Sequence, residues 1–155
     1  ARQRHLVVFG GPGARRAAYG PHRETLAAAC RELAVEEVLD VGAPLDDTLP
    51  RDVGGVPLRP LGPLSDAAAS DLLGRAFAGF IAHRPEMLGK STIFASLCSH
   101  GVLPVGSTPD GEILWAPGDP SAPADLQAVA TASRTWYLQH AAPRLAASFH
   151  ELLFA

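Results

Sequence analysis

Phe80-Ile81-Ala82-His83-Arg84-Pro85-Glu86-Met87-Leu88-Gly89-Lys90-Ser91-Thr92-Ile93-Phe94 reads as a buried strand, a short polar turn and a helix opening at Gly89-Lys90-Ser91. A helix start leaves backbone N–H groups unpaired, and the macrodipole adds partial positive charge there. A glycine lets an anion approach the backbone, and a lysine and a hydroxyl beside it complete a seat for phosphate. Lys90 is the one lysine in a chain with twelve arginines. A cation at a helix start is unfavourable without an anion, so the stretch predicts a bound diphosphate.

Working outward, apolar runs alternate with helical patterns. His5-Leu6-Val7-Val8-Phe9 is a strand covered on both faces, ended by Gly10-Gly11-Pro12-Gly13 and followed by Arg15-Arg16. A helical stripe of Leu26, Ala29, Cys30 and Leu33 spans about residues 22–33, and Glu37-Val38-Leu39-Asp40-Val41 is the second strand. Residues 43–57 read as a Pro-, Gly- and Asp-rich loop, and residues 56–61 as an edge strand, since prolines exclude a central place. Ser65 caps a helix running to Leu73, residues 77–82 form a strand, and a helix over 89–100 ends at Gly101. Val102 to Gly106 is a strand, Glu112 to Trp115 a further short one, and a helix runs from Ala122 with a bend at Pro143. The pattern predicts an α/β fold, Rossmann-like and doubly wound, with a mainly parallel sheet and helices on both faces. The loops at 10–16 and 83–91 both follow strands, so both fall on the ligand-facing edge of such a sheet.

At 155 residues the chain is expected to be one domain, residues 1–155. Its first residue is Ala and a strand begins almost at once, which points to a domain excised from a larger chain. A net charge of −3 gives no reason to expect nucleic-acid binding, so an anion site must be local. No apolar run reaches membrane-spanning length. Cys30 and Cys98 sit in apolar helical contexts with no metal-ligand partner nearby, as expected of buried thiols in the cytoplasm.

The motifs limit the chemistry. Residues 10–16 lack the third glycine of the dinucleotide fingerprint and read equally as a plain tight turn. Residues 84–91 nearly spell a nucleotide-triphosphatase P-loop, with Arg84 where its first glycine should stand. That reading needs an acidic magnesium ligand, for which Asp40 is the one weak candidate, as it is for a ribose contact. Glu86 precedes the seat and reads either as an acceptor for a sugar hydroxyl or as an ordinary solvated acid near a helix start, and His83 ends the strand, either facing the same cleft or serving a structural role. His100, His140 and His150 show no triad or metal spacing. Trp136 and Tyr137 read as packing residues.

In this set of residues the chain resembles the C-terminal, donor-binding domain of a two-Rossmann-domain glycosyltransferase, group 1-like. The likeness covers nearly the whole chain. It is carried by Val8-Phe9-Gly10-Gly11 with Arg15-Arg16, by Leu61-Gly62-Pro63-Leu64-Ser65, by Glu86 to Ser91, and by Ser99-His100-Gly101-Val102-Leu103-Pro104-Val105. The resemblance implies a basic residue of the first loop on the donor diphosphate, which is Arg15 or Arg16, beside Gly10 and Gly11. It implies Gly62 and Leu64 beside the nucleotide base, Glu86 on the donor sugar, and Gly89, Lys90 and Ser91 on the distal phosphate. A second glutamate, which that family often carries on this helix, has no counterpart in Phe94-Ala95-Ser96-Leu97. The substrate implied is a nucleoside-diphosphate sugar, with no metal or other cofactor required. The acceptor would sit on a missing N-terminal domain, and the fragment alone would be inactive. The alternatives are a non-catalytic Rossmann-like binding or regulatory module and, further off, the NTPase.

Overall fold

Continuous apolarity over Leu6-Val7-Val8 demands cover on both faces. The computed structural model describes residues 2–46, 49–115 and 125–141. Along the chain these form β1 (Gln3–Phe9), α1 (Pro12–Tyr19), α2 (Arg23–Glu32), β2 (Glu37–Val41), β3 (Asp52–Val53), β4 (Val56–Gly62), α3 (Asp66–Arg75) and β5 (Ala76–Ile81). A 3-10 helix (Pro85–Lys90), α4 (Thr92–Ser99), β6 (Leu103–Ser107), β7 (Ile113–Trp115) and α5 (Leu126–His140) follow.

The seven strands make one sheet in the order β3-β4-β2-β1-β5-β6-β7. The inner strands are parallel to one another, and β3 and β7 join the edges antiparallel. Leu6 and Val8 point into a core shared with Leu26, Cys30, Leu33, Phe80 and Val105. Val7 points the other way, to Leu39, Ile81, Phe94, Leu97 and Cys98. Each strand residue thus finds apolar partners whichever way it faces, which is why the runs are continuous rather than alternating. The fold is the expected α/β, Rossmann-like arrangement. Ala130 of α5 joins the first core, while Trp136 and Tyr137 pack against the second. Trp136 meets Phe94 with ring centroids 4.9 Å apart.

Several local expectations hold. Ser65 accepts a hydrogen bond from the Ala68 N–H and caps α3. Past α4, Gly101 takes a φ of +63°, and the amides of Gly101 and Val102 return to the carbonyls of Cys98 and Leu97. Those two bonds close a Schellman turn, which a side chain with a Cβ would strain.

Other elements differ. Residues 12–16 belong to α1 rather than to a loop, because Pro12 at the helix start presets φ and Ala and Arg propagate the helix. The loop expected over 43–57 contains a hairpin: β3 turns into β4 through Gly54 and Gly55, both at positive φ. Helix α4 begins at Thr92, not at Gly89, because Ser91 is its N-cap and accepts from the Phe94 N–H. Gly89 and Lys90 close the preceding 3-10 helix instead. Helix α5 starts at Leu126, where Asp125 accepts from the amides of Gln127 and Ala128. Ala122, Pro143 and His150 lie outside the described residues.

Both cysteines are buried and free, and burial pushes each thiol up to about 12. They are inert packing groups at neutral pH.

The tightest fit in the fold is at Gly79, where a Cβ would lie 2.2 Å from Leu97 Cδ2 and 3.1 Å from its Cγ. Helix α4 therefore lies directly on the β5 backbone. Gly79→Val should lower the unfolding free energy by about 1–3 kcal/mol through overpacking, read as a reduced urea midpoint. An unchanged midpoint would show that α4 does not sit on β5 this closely.

Candidate functional site

In an open parallel sheet, ligands meet the carboxyl ends of the strands where the order reverses. The chain leaves β1 for β2 and β4, then returns across β1 to β5, so the reversal falls between β1 and β5. The segments emerging there are Gly10-Gly11 and residues 82–91, both singled out from the sequence.

These two segments touch. A Cβ on Gly10, whose φ is +119°, would fall 2.6 Å from Ile93 Cδ1. The first turns of α1 and α4 are thereby brought side by side. Helix α1 has Gly11 as N-cap, no side-chain cap and no acidic residue in its first turn. Gly11, Gly13 and Gly89 are exposed, with open space where a Cβ would stand. At α4, Ser91 satisfies the Phe94 amide itself, so of the first-turn amides only those of Thr92 and Ile93 precede the capped one. Lys90 is exposed and makes no ion pair among the described residues. As it ends the 3-10 helix, its charge is also favoured by that helix's own carbonyl end. The dipole reason for an anion at Lys90 is correspondingly weaker than the sequence suggested.

Glu86 lies beyond, exposed, in a cleft of about 470 Å³ lined also by His22, His83, Arg84, Ser107 and Thr108. His83 Nδ1 is 3.0 Å from Ser91 Oγ, so the cleft and the start of α4 share a hydrogen bond. Among the described residues no group of three or more His, Cys, Asp or Glu side chains is arranged to hold a metal ion.

The arginines of the first segment lie elsewhere. Arg15 is 1% exposed and locked to Asp40, itself 1% exposed, through Nε–Oδ1 at 2.9 Å and a second, shorter Nη2–Oδ2 bond. Arg15 Nη1 also donates to the Ala43 carbonyl, and Tyr19 OH donates to Asp40 Oδ1 at 2.8 Å. Burial and the Asp40 charge push the Tyr19 hydroxyl far above its ordinary range, so it stays a donor. A Cβ on Gly42 would meet Arg15 Nη1 at 2.6 Å, so the glycine there makes room for the guanidinium. Arg15 is therefore committed to an internal ion pair, which forms part of the wall of the hollow beside Gly62. Both oxygens of Asp40, the candidate for a ribose contact or a magnesium ligand, are engaged by Arg15 and Tyr19. The placement on α1 is the reason: position 15 turns inward to the sheet.

Arg16, one position on, faces outward and pairs with Asp46 at 3.0 Å. It lines a separate cleft of about 510 Å³ with Tyr19, Arg23, Leu45 and Pro50. Gly62, at a φ of +71°, accepts from the Gly42 amide and lines a hollow of about 260 Å³ with Pro44 and Pro60. Leu64 is half-buried and packs on the core beneath α3 and α4. His22 and Thr108 are the residues that sequence reasoning missed. They come from the α1–α2 junction and the turn after β6, and no spacing in the chain links either to Glu86.

Fold and edge define a Rossmann-like α/β domain with two helix starts at the strand-order reversal and a polar cleft at the ends of β5 and β6. No protein-family model matches the chain, and no curated protein is significantly similar to it. Among the described residues no helix is long and apolar enough to cross a membrane.

If Arg15 serves the core, Arg15→Met and Asp40→Asn should each lower stability by about 3–5 kcal/mol, since either leaves a buried charge unpaired. Asp46→Ala should cost less than about 1 kcal/mol, because the pair it breaks is exposed. Equal, small losses in urea titrations of all three would contradict the assignment.

Proposed function

We propose that the chain is the donor-binding half of a glycosyltransferase, taking a nucleoside-diphosphate sugar at the carboxyl edge of its sheet. The observation that carries this reading is the contact between Gly10, just ahead of α1, and Ile93 in the first turn of α4, with Lys90 exposed at the end of the preceding 3-10 helix. Convergent amides and a nearby cation favour a diphosphate, whose two negative groups can each face one helix start. The sugar then extends into the Glu86 cleft, and the base rests toward the hollow at Gly62.

The leaving group in such a transfer is the nucleoside diphosphate, and its developing charge must be stabilised as the glycosidic bond breaks. Amides fixed on two helices do this without reorganising, Lys90 supplies the mobile charge, and neither step calls for a metal. Arg15, spent on Asp40, contributes nothing to that charge. The acceptor comes from a further, N-terminal domain, and the chain by itself binds donor without transfer. The setting is the cytoplasm.

A non-catalytic binding module is the second reading. Two observations favour it: the basic residue of the first segment is buried in an ion pair, and α4 carries no acid over Phe94-Ala95-Ser96-Leu97. The NTPase reading loses its acidic candidate, because Asp40 is enclosed.

Titration calorimetry with UDP and GDP, without magnesium, should give dissociation constants in the micromolar-to-millimolar range. Lys90→Ala should weaken binding about tenfold or more, the expected loss of one charge-assisted hydrogen bond. Absence of binding by either nucleotide, or binding indifferent to Lys90→Ala, would refute the diphosphate seat.

A further inference from the structure

The cleft at the ends of β5 and β6 contains one imidazole whose hydrogen-bond partner bears on its tautomer. Ser91 Oγ accepts from the Phe94 amide at 3.1 Å and lies 3.0 Å from His83 Nδ1. Ser91 is buried, and a buried hydroxyl proton with no acceptor is costly. The arrangement that satisfies every group has the Ser91 hydroxyl donating to Nδ1. The proton of the neutral ring then sits on Nε2. With Nδ1 turned to α4, Nε2 has no partner among the described residues, on a ring that lines the cleft. Two bonds point the same way, from the Phe94 amide to Ser91 and from Ser91 to His83, and such a chain strengthens the donor at its end.

Glu86 lines the same cleft as a bare carboxylate, an acceptor without a partner among the described residues. A donor N–H and an acceptor carboxylate in one cleft suit a ligand group that both gives and takes hydrogen bonds. Hydroxyls do so, whereas a phosphate, although Arg84 in the same cleft would attract it, has no hydrogen to give to Glu86. We infer that His83 reads the sugar: its Nε2–H donates to one hydroxyl oxygen of the transferred hexose while Glu86 accepts from another hydroxyl. This rests on the donor-binding reading above and adds to it a residue and a hydrogen-bond direction. The tie through Ser91 also fixes the ring to the helix that would hold the phosphate, so sugar and diphosphate are positioned by one rigid unit.

Two substitutions separate reading the sugar from merely supporting the Ser91 cap. In His83→Asn the side-chain amide reaches the place of Nδ1 and keeps the bond to Ser91, but nothing replaces Nε2. In His83→Gln the amide reaches the place of Nε2. Calorimetry would compare UDP with UDP-glucose and GDP with GDP-mannose on the full chain. In the unsubstituted protein the sugar nucleotide of at least one pair should bind more tightly than its free diphosphate. His83→Asn should lose about tenfold on that sugar nucleotide and leave the free diphosphate unchanged, with His83→Gln recovering part of the loss. Long-range ¹H–¹⁵N spectra of the imidazole should show the Nε2–H tautomer, and the Nε2 signal should move with UDP-glucose or GDP-mannose but not with UDP or GDP. Free diphosphates that bind as well as their sugar nucleotides, a His83→Asn protein that binds both alike to the parent, or an Nδ1–H tautomer would each overturn the inference while leaving the diphosphate seat standing. Failure of every nucleotide to bind would remove both.

Discussion

A guanidinium enclosed by protein must be neutralised where it lies, and the pair between Arg15 and Asp40 shapes everything on its side of the sheet. Arg15 rises from α1 and Asp40 from β2, so the pair ties the first helix to the second strand. Tyr19 adds a third bond from the same helix, and the Ala43 carbonyl takes a guanidinium hydrogen that would otherwise be stranded. Gly42 has to be glycine-like in size because the guanidinium occupies the space of its missing side chain. A pair of this kind adds little net stability over an apolar replacement, but it is intolerant of losing one member. It fixes which way α1 rotates. Its chemical consequence is that this face of the carboxyl edge has no free positive charge to offer from position 15.

The other face of the edge is built differently. There the backbone does most of the work: α1 and α4 begin next to each other because Gly10 lets Ile93 in, and Gly79 lets α4 lie flat on β5. The approach of α4 sets where Ser91 stands, and Ser91 in turn holds His83. The polar cleft with Glu86 and His22 is thus positioned by apolar contacts between Leu97 and a strand backbone, one helix length away. Packing and chemistry are joined through a single helix whose far end is closed by the turn at Gly101.

The alternation of apolar runs and helical stripes was enough to read the sheet and its two layers, since a strand buried on both faces has few other ways to be written. Ser65, Gly101 and the end of the first strand were equally legible, because caps and glycine turns act over four or five residues. Local signals failed where two of them competed. At residues 89–92 the glycine and lysine suggested a helix start, yet the serine behind them is the better cap and took the role. At residues 10–16 the glycines masked a helix that Pro12 begins.

By itself the chain determined an α/β sheet and that the segments 10–16 and 83–91 would both fall on its carboxyl edge. Which way Arg15 and Arg16 point was decided only in three dimensions, by the rotation of α1 against Asp40: the first is buried and the second faces outward. His22 and Thr108, which line the cleft with Glu86, were likewise brought there by the fold. The physical reason is the range of the forces involved. Backbone propensity and capping act between near neighbours and are written in short stretches of sequence, whereas the burial of a charge and the direction of an imidazole depend on groups dozens of residues away.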